Sequence, residues 1–144
     1  MWFGEPDLDA LSEITAGTMA SHLGIEYTEI GPDFLRGTMP IDERTMQPQG
    51  IMHGGASAAF AETLGSVAAH LCVDRSRKRC LGLDISVNHI RRVAAPGKVT
   101  GTARPLHIGG ITQVWEIRVE NVAGDLVGVS RLTIIVLTVP VRYS

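Results

Sequence analysis

Ile51-Met52-His53-Gly54-Gly55-Ala56-Ser57-Ala58-Ala59-Phe60-Ala61-Glu62-Thr63-Leu64-Gly65-Ser66-Val67-Ala68-Ala69-His70-Leu71-Cys72 is the stretch from which the rest of the chain is read. From Ala56 to Cys72 it is rich in alanine and free of proline, which predicts the main helix of the molecule. At about 100° per residue, Phe60, Leu64, Val67 and Leu71 form one narrow apolar stripe, the core side. Glu62 falls on the opposite side with Ser66, Ala58, Ala59 and Ala69. A solvated helix face usually carries Lys, Glu and Gln, whereas small side chains suit close approach by another backbone or a ligand. A second buried surface is therefore expected; the alternative is an alanine-rich surface helix on which Glu62 is simply exposed.

Glu62 and Ser66 stand at i, i+4, so a carboxylate and a hydroxyl project together from the small-residue face and can share a water. A carboxylate in an apolar groove becomes more basic by desolvation, which suits it to act as base or nucleophile; a lone helical Glu is otherwise an ordinary surface residue. The start of the same helix adds a second feature. His53-Gly54-Gly55 puts glycine amides at a helix N-terminus, where unpaired N–H groups and the helix dipole favour developing negative charge. Just upstream, Gln47-Pro48-Gln49-Gly50 is a polar, kinked loop whose Gln47 amide can hold a carbonyl or a water, or can simply face solvent.

Outward from this helix, the N-terminal part offers Asp7 as cap for a first helix with Leu8, Leu11 and Ile14 at helical spacing, ending at Gly24. Two strands follow, Ile25 to Ile30 and Phe34 to Ile41, separated by Gly31-Pro32-Asp33. Beyond the main helix everything reads as strand: Leu81 to Ile90, Lys98 to Leu106, Ile111 to Glu120 and Leu126 to Val139. In the third of these, Ile111, Gln113, Trp115, Ile117 and Val119 alternate with Thr112, Val114, Glu116, Arg118 and Glu120, giving one mostly apolar face. The gaps are too short for crossover helices, so antiparallel pairing is expected.

The 144 residues fit one domain with a single core, and 44% hydrophobic against 19% charged residues excludes a disordered chain. A net charge of -2 gives no global basic field, which argues against nucleic acid or membrane as the main partner. Cys72 and Cys80 are too few for a disulfide scaffold, and no signal or spanning segment is read, so a soluble cytoplasmic protein is expected. His53, His70, His89, His107, Cys72 and Cys80 show no metal-ligand spacing. The basic run Arg75-Ser76-Arg77-Lys78-Arg79 reads either as a solvated turn or as an attractor for a nucleotide phosphate.

Taken together, Thr45 to Ser57 and Ala61 to Ser66 resemble the hotdog-fold acyl-CoA thioesterases, in particular the bacterial branch with 1,4-dihydroxy-2-naphthoyl-CoA hydrolase and the enterobactin-pathway proofreading thioesterase. The likeness extends through His22-Leu23-Gly24-Ile25, Met39-Pro40-Ile41-Asp42, Asn88-His89-Ile90-Arg91, Pro105-Leu106-His107-Ile108-Gly109, Val114-Trp115 and Ser130-Arg131-Leu132-Thr133, so that one domain spans residues 1–144. The resemblance implies an α+β hotdog fold, a curved antiparallel sheet wrapped around a long central helix. It implies hydrolysis of an acyl-CoA thioester, with an aromatic acyl group, without a cofactor or metal. Glu62 would be nucleophile or general base, Ser66 a water-placing hydroxyl and Gly54 the oxyanion amide, with Gln47 and His53 positioning the thioester. Gly82, His89, Ile90, Arg91 and Arg92, and His107, Ile108, Gly109, Gly110, Ile111 and Thr112 fall where related enzymes touch coenzyme A, with an acyl carrier protein as the other possible thioester donor. Gln49 stands where close relatives commonly have Phe. The rival readings are a hotdog-fold hydratase or dehydratase, which needs a differently placed His and acid, and a non-catalytic acyl-CoA-binding protein.

Gly54 and Glu62 lie eight positions apart, about 12 Å of helix rise, so one chain hardly presents both to one carbonyl. A two-fold axis pairing two such helices antiparallel would bring Gly54 of one chain to Glu62 of the other and cover the small-residue face. An obligate homodimer is expected, and the family resemblance extends it to a homotetramer.

Overall fold

The computed structural model describes residues 1–139. The elements are α1 (Leu8–Thr15), α2 (Met19–His22), β1 (Glu26–Ile30), β2 (Leu35–Ile41), α3 (Gly54–Leu71), β3 (Lys78–His89), β4 (Gly97–Ile108), β5 (Thr112–Asn121) and β6 (Leu126–Thr138). Asp7 caps α1 as expected, its carboxylate accepting the Asp9 N–H at 3.3 Å. The single first helix is corrected to two. The backbone turns through Gly17 at φ +72° before α2 begins, and the chain leaves α2 through Gly24 at φ +71°, a left-handed conformation that glycine adopts without cost from a Cβ.

All six strands pair antiparallel in one sheet of order β1-β2-β4-β5-β6-β3, curved around α3. This is the hotdog architecture. The core lies between the helix and the concave face, where Phe60 and Leu64 of α3 meet Leu35, Met39, Val99, Trp115, Ile117, Leu132 and Ile134, all essentially inaccessible to solvent. The alternation read in β5 holds from Gln113 to Val119, whereas Ile111 sits in the preceding turn and is 73% exposed. Gln113 is fully buried on the apolar face; its Oε1 accepts the Trp115 indole N–H at 2.9 Å.

The face assignment of α3 needs two corrections. Val67 is only half-buried, and Ala69 is fully buried with Phe60, Ala61, Leu64, Gly65 and Ala68. The sheet curls far enough that β3 closes over the helix flank, with Cys80 Sγ 3.6 Å from the Ala69 carbonyl oxygen. Ala58, Ala59, Glu62 and Ser66 remain a half-exposed face of small residues. Its cover, expected from the sequence, would have to come from outside the single chain. At the far end of the helix, the Phe3 N–H donates to the Leu71 carbonyl at 2.7 Å, so the N-terminal segment satisfies one of the orphan acceptors there.

Glycines on facing strands set how closely the helix lies on the sheet. Gly37 of β2 pairs with Gly101 of β4, and Leu64 sits over both. A Cβ at Gly101 would fall 2.5 Å from Leu64 Cδ1 and 2.8 Å from Phe60 Cε1. Both side chains are fully buried, so they make room only by repacking the core around them. Gly101→Ala is therefore expected to destabilise the fold by about 1–3 kcal/mol as an overpacking change, measured as a lower urea midpoint at unchanged m-value.

No helix among the described residues is long and apolar enough to cross a membrane.

Candidate active site

Glu62 occupies the middle of α3, half-buried, with its carboxylate directed at β3. The contact partner is Gly82: a Cβ there would stand 2.5 Å from Glu62 Oε1. Only a residue without a side chain lets the carboxylate rest on the strand, and the β3–β6 ladder shifts register between Gly82 and Asp84 at this point. Glu62 has no ion-pair or hydrogen-bond partner among the described residues. Ser66 follows one turn later on the same half-exposed face.

The helix N-terminus divides its donors. His53 is the N-cap, its Nδ1 accepting the Gly55 N–H at 2.7 Å, while its carbonyl accepts from Ser57 N–H at 3.1 Å. That bond fixes the tautomer with Nδ1 unprotonated, and it occupies the ring atom nearest the helix start. The Gly54 N–H, at the first helical position, has no acceptor among the described residues and is open to solvent. The loop before it is held by the Met46–Met52 and Ile51–Ala94 bridges and by His53 N–H donating to the Thr45 carbonyl at 2.8 Å. Gln47 is folded onto this loop: its Oε1 accepts the Gln49 N–H at 2.5 Å and its Nε2 donates to Gln49 Oε1 at 3.4 Å.

The residues read as coenzyme A contacts separate into three places. His89, Ile90, Arg91 and Arg92 share a groove of about 330 Å³ with Gly54 and Ile51, and a Cβ on Gly54 would meet His89 Nε2 at 3.1 Å. Arg91 and Arg92 form no ion pair among the described residues. His107 and Ile108 end β4, Gly109, Gly110 and Ile111 make the β4–β5 turn and Thr112 opens β5, the turn being closed by Gly109 N–H donating to the Thr112 carbonyl at 2.9 Å. Ile108 and Gly109 line a separate groove of about 460 Å³ with Arg77, Lys78 and Gln113. Gly82 lies apart from both, under Glu62. One chain thus joins Gly54 to the His89–Arg92 segment but leaves Glu62 and the β4–β5 turn elsewhere.

Two features escaped sequence reading. His70 bridges α3 to β3, with Nδ1 3.0 Å from the Ser66 carbonyl and Nε2 accepting the Cys80 N–H at 3.2 Å; its i+4 spacing from Ser66 was the available signal. Burial pushes the Cys72 thiol up to about 11, so it is not a thiolate nucleophile near neutral pH.

The sequence profile of the thioesterase superfamily matches residues 49–127, more than half of the chain. The chain belongs to this superfamily. The thioesterase is 44% identical over 137 residues to 1,4-dihydroxy-2-naphthoyl-CoA hydrolase of Escherichia coli K12, covering 95% of this chain and 99% of that protein. It is 46% identical over 137 residues to the proofreading thioesterase EntH of Cronobacter turicensis, covering 95% and 98%. A Pseudomonas aeruginosa thioesterase structure superposes with a TM-score of 0.93 at 40% identity, over 96% of this chain and 99% of that one. A Staphylococcus aureus protein, TM-score 0.80 and 31% identity over 84% and 99% of the chains, has been crystallised with a glutamate replaced by alanine, and separately with a glutamine replaced. Those two residues stand fifteen positions apart, the spacing of Gln47 and Glu62 in this thioesterase, whereas Gln49 is thirteen from Glu62.

Proposed function

We propose that the thioesterase hydrolyses acyl-CoA thioesters with an aromatic acyl group, using Glu62 as the reacting carboxylate. The observation that carries this reading is the Glu62 carboxylate, unpaired among the described residues, resting on Gly82 in a row with Ser66. The glutamine–glutamate spacing shared with the Staphylococcus aureus protein, and the substrate named in the Escherichia coli relative, support it. Glu62 either takes a proton from the water that attacks the carbonyl carbon or attacks that carbon itself, forming an anhydride that water then opens. In both routes the C–S bond breaks and coenzyme A leaves as thiolate and takes up a proton; the water oxygen ends in the product acid when Glu62 is the base, and in either the product acid or the Glu62 carboxylate when an anhydride is opened, according to which carbonyl the water attacks. The free Gly54 N–H, at the positive end of the helix dipole, is the donor for the oxyanion. Ser66 positions water, and Gln47 holds the thioester once it exchanges its Gln49 contacts for substrate. His53 acts through its cap, fixing where the Gly54 amide points.

Glu62 and Gly54 serve one carbonyl only when they come from different chains, so the working unit is a homodimer, joined in pairs into a homotetramer as the family resemblance suggests. Cys72 and Cys80 are free, not joined in a disulfide, which suits a reducing cytoplasm. Release of free thiol from benzoyl-CoA, set against a fatty acyl-CoA and an aryl carrier-protein thioester, tests the reading: benzoyl-CoA is expected to be cleaved fastest, and no thiol from any of the three would overturn it.

Arg91 and Arg92 supply the charge in the groove beside Gly54 and are read as phosphate contacts for the coenzyme A nucleotide. Binding shared by ground and transition state changes KM rather than kcat. Arg91→Ala is accordingly expected to raise KM for benzoyl-CoA several-fold with kcat little changed, and raising the salt concentration should reproduce part of that rise in the unsubstituted enzyme. An unchanged KM would remove Arg91 from the site.

A further inference from the structure

A groove of about 420 Å³ lies between α1 and the C-terminal half of α3, walled by Leu11 and Ile14 on one side and Val67 and Leu71 on the other. Among the described residues its own lining carries the charges of Arg75 and Arg79, while an adjoining groove that shares Leu11, Ile14, His70, Leu71 and Arg75 with it is lined on its far side by Glu5, Asp7 and Asp74. Neither arginine forms an ion pair among the described residues, where Arg36, Arg44, Arg104 and Arg118 are the arginines that do. The neighbouring Asp74 carboxylate is taken up locally, accepting from Ser76 N–H at 3.0 Å and Ser76 Oγ at 2.6 Å. The Arg79 guanidinium is anchored by the carbonyls of Arg75 and Lys78. The basic run also splits by position: Arg75 and Arg79 line this groove, whereas Arg77 and Lys78 line the one beside Ile108 and Gly109.

We propose that this groove receives the far end of extended acyl chains, longer than the aromatic groups of the proposed activity, and that Arg75 and Arg79 select those chains that end in a carboxylate. The proposal rests on Glu62 being the reacting residue. His70, which lines the groove, continues the Glu62–Ser66 row by one more turn, so about 12 Å of helix rise separates the reacting carboxylate from the groove. An extended eight-carbon acyl chain spans about 9 Å at roughly 1.2 Å per bond, and a carboxylate–guanidinium hydrogen bond of about 2.8 Å covers the remainder. The His70 ring is pinned at both nitrogens, by the Ser66 carbonyl and the Cys80 N–H, and so forms a fixed wall. A terminal carboxylate entering an apolar groove loses hydration, and guanidinium forks at its rim restore the lost hydrogen bonds. A methyl terminus gains nothing from them, and the difference is the selectivity.

The test compares octanedioyl-CoA with octanoyl-CoA, which differ at the far end of the acyl chain. The enzyme is expected to favour octanedioyl-CoA in kcat/KM by about ten-fold, the scale of a hydrogen bond to a charged group. Arg75→Gln combined with Arg79→Gln should bring the ratio to about one, with octanoyl-CoA turnover reporting that the chain is folded. Equal kcat/KM for the two esters in the unsubstituted enzyme, or a preference that survives both substitutions, would overturn the proposal. Cleavage of neither ester while benzoyl-CoA is turned over would overturn the proposal; where benzoyl-CoA is not cleaved either, the hydrolase reading fails instead, and calorimetric binding of the matching thioether analogues decides the groove. Tighter binding of the carboxylated analogue, lost in the double variant, supports the proposal; equal binding overturns it.

Discussion

Glu62→Gln is expected to lower kcat for benzoyl-CoA by on the order of 10² or more, since a positioned acid or base contributes about 10²–10⁴, while the fold stays intact. The amide keeps the size of the side chain but neither takes a proton nor attacks a carbonyl. The fold is expected to survive because Glu62 has no hydrogen-bond or ion-pair partner among the described residues whose loss would unfold the helix. Circular dichroism and the urea midpoint should match the unsubstituted protein. Turnover within a few-fold of normal would transfer the reaction to another group. Ser66→Ala should cost less, because a second water can replace a positioning hydroxyl.

Activity is expected to return when Glu62→Ala chains are refolded together with Gln47→Ala chains, each inactive or nearly so alone. If Gln47 and Gly54 of one chain meet Glu62 of its partner, every mixed dimer holds one site with both residues intact. Random pairing of equal amounts makes about half of the dimers mixed, so recovery should approach about a quarter of the unsubstituted activity. If each site were built within one chain, every site would keep a lesion. Absence of recovery, with subunit exchange verified by mass, or a fully active monomer, would defeat the composite site.

The central helix and the strands after it were legible in the sequence because each carries a strong local signal: alanine without proline in α3, and alternation from Gln113 to Val119 in β5. The break at Gly17 was hidden by the run of Leu8, Leu11 and Ile14, whose spacing gives no hint that the chain then turns left-handed. β3 begins at Lys78 rather than Leu81; charges mask a strand at a sheet edge, where they face water on the open side. Val67 and Ala69 were misplaced because a helical wheel divides inside from outside by a plane, whereas a curved sheet covers more of the helix on the β3 flank than on the α1 flank. The roles proposed for Glu62 and Gly54 come from their motif. That Gly82 makes room for the Glu62 carboxylate was not legible there, because the two meet only through the tertiary packing of α3 on β3. Nor was the capping bond that ties the His53 ring to Gly55, since Ser, Thr, Asp and Asn are the usual signals for that position.

The seating of Leu64 between Gly37 and Gly101 bears on how such an enzyme acquires new substrates. A helix whose buried leucine is seated in a notch of two paired glycines on one sheet face does not slide across that face to suit a different acyl group without a clash. Variation beneath it is spent on unfolding before it reaches selectivity. Changes of specificity are thereby confined to the two ends of the rod, the loop that leads into Gly54 and the turn that follows Leu71. A directed-evolution library restricted to residues 45–52 and 73–79 should yield altered acyl preference in folded variants. The same number of substitutions spread over β2 and β4 should yield mainly insoluble chains.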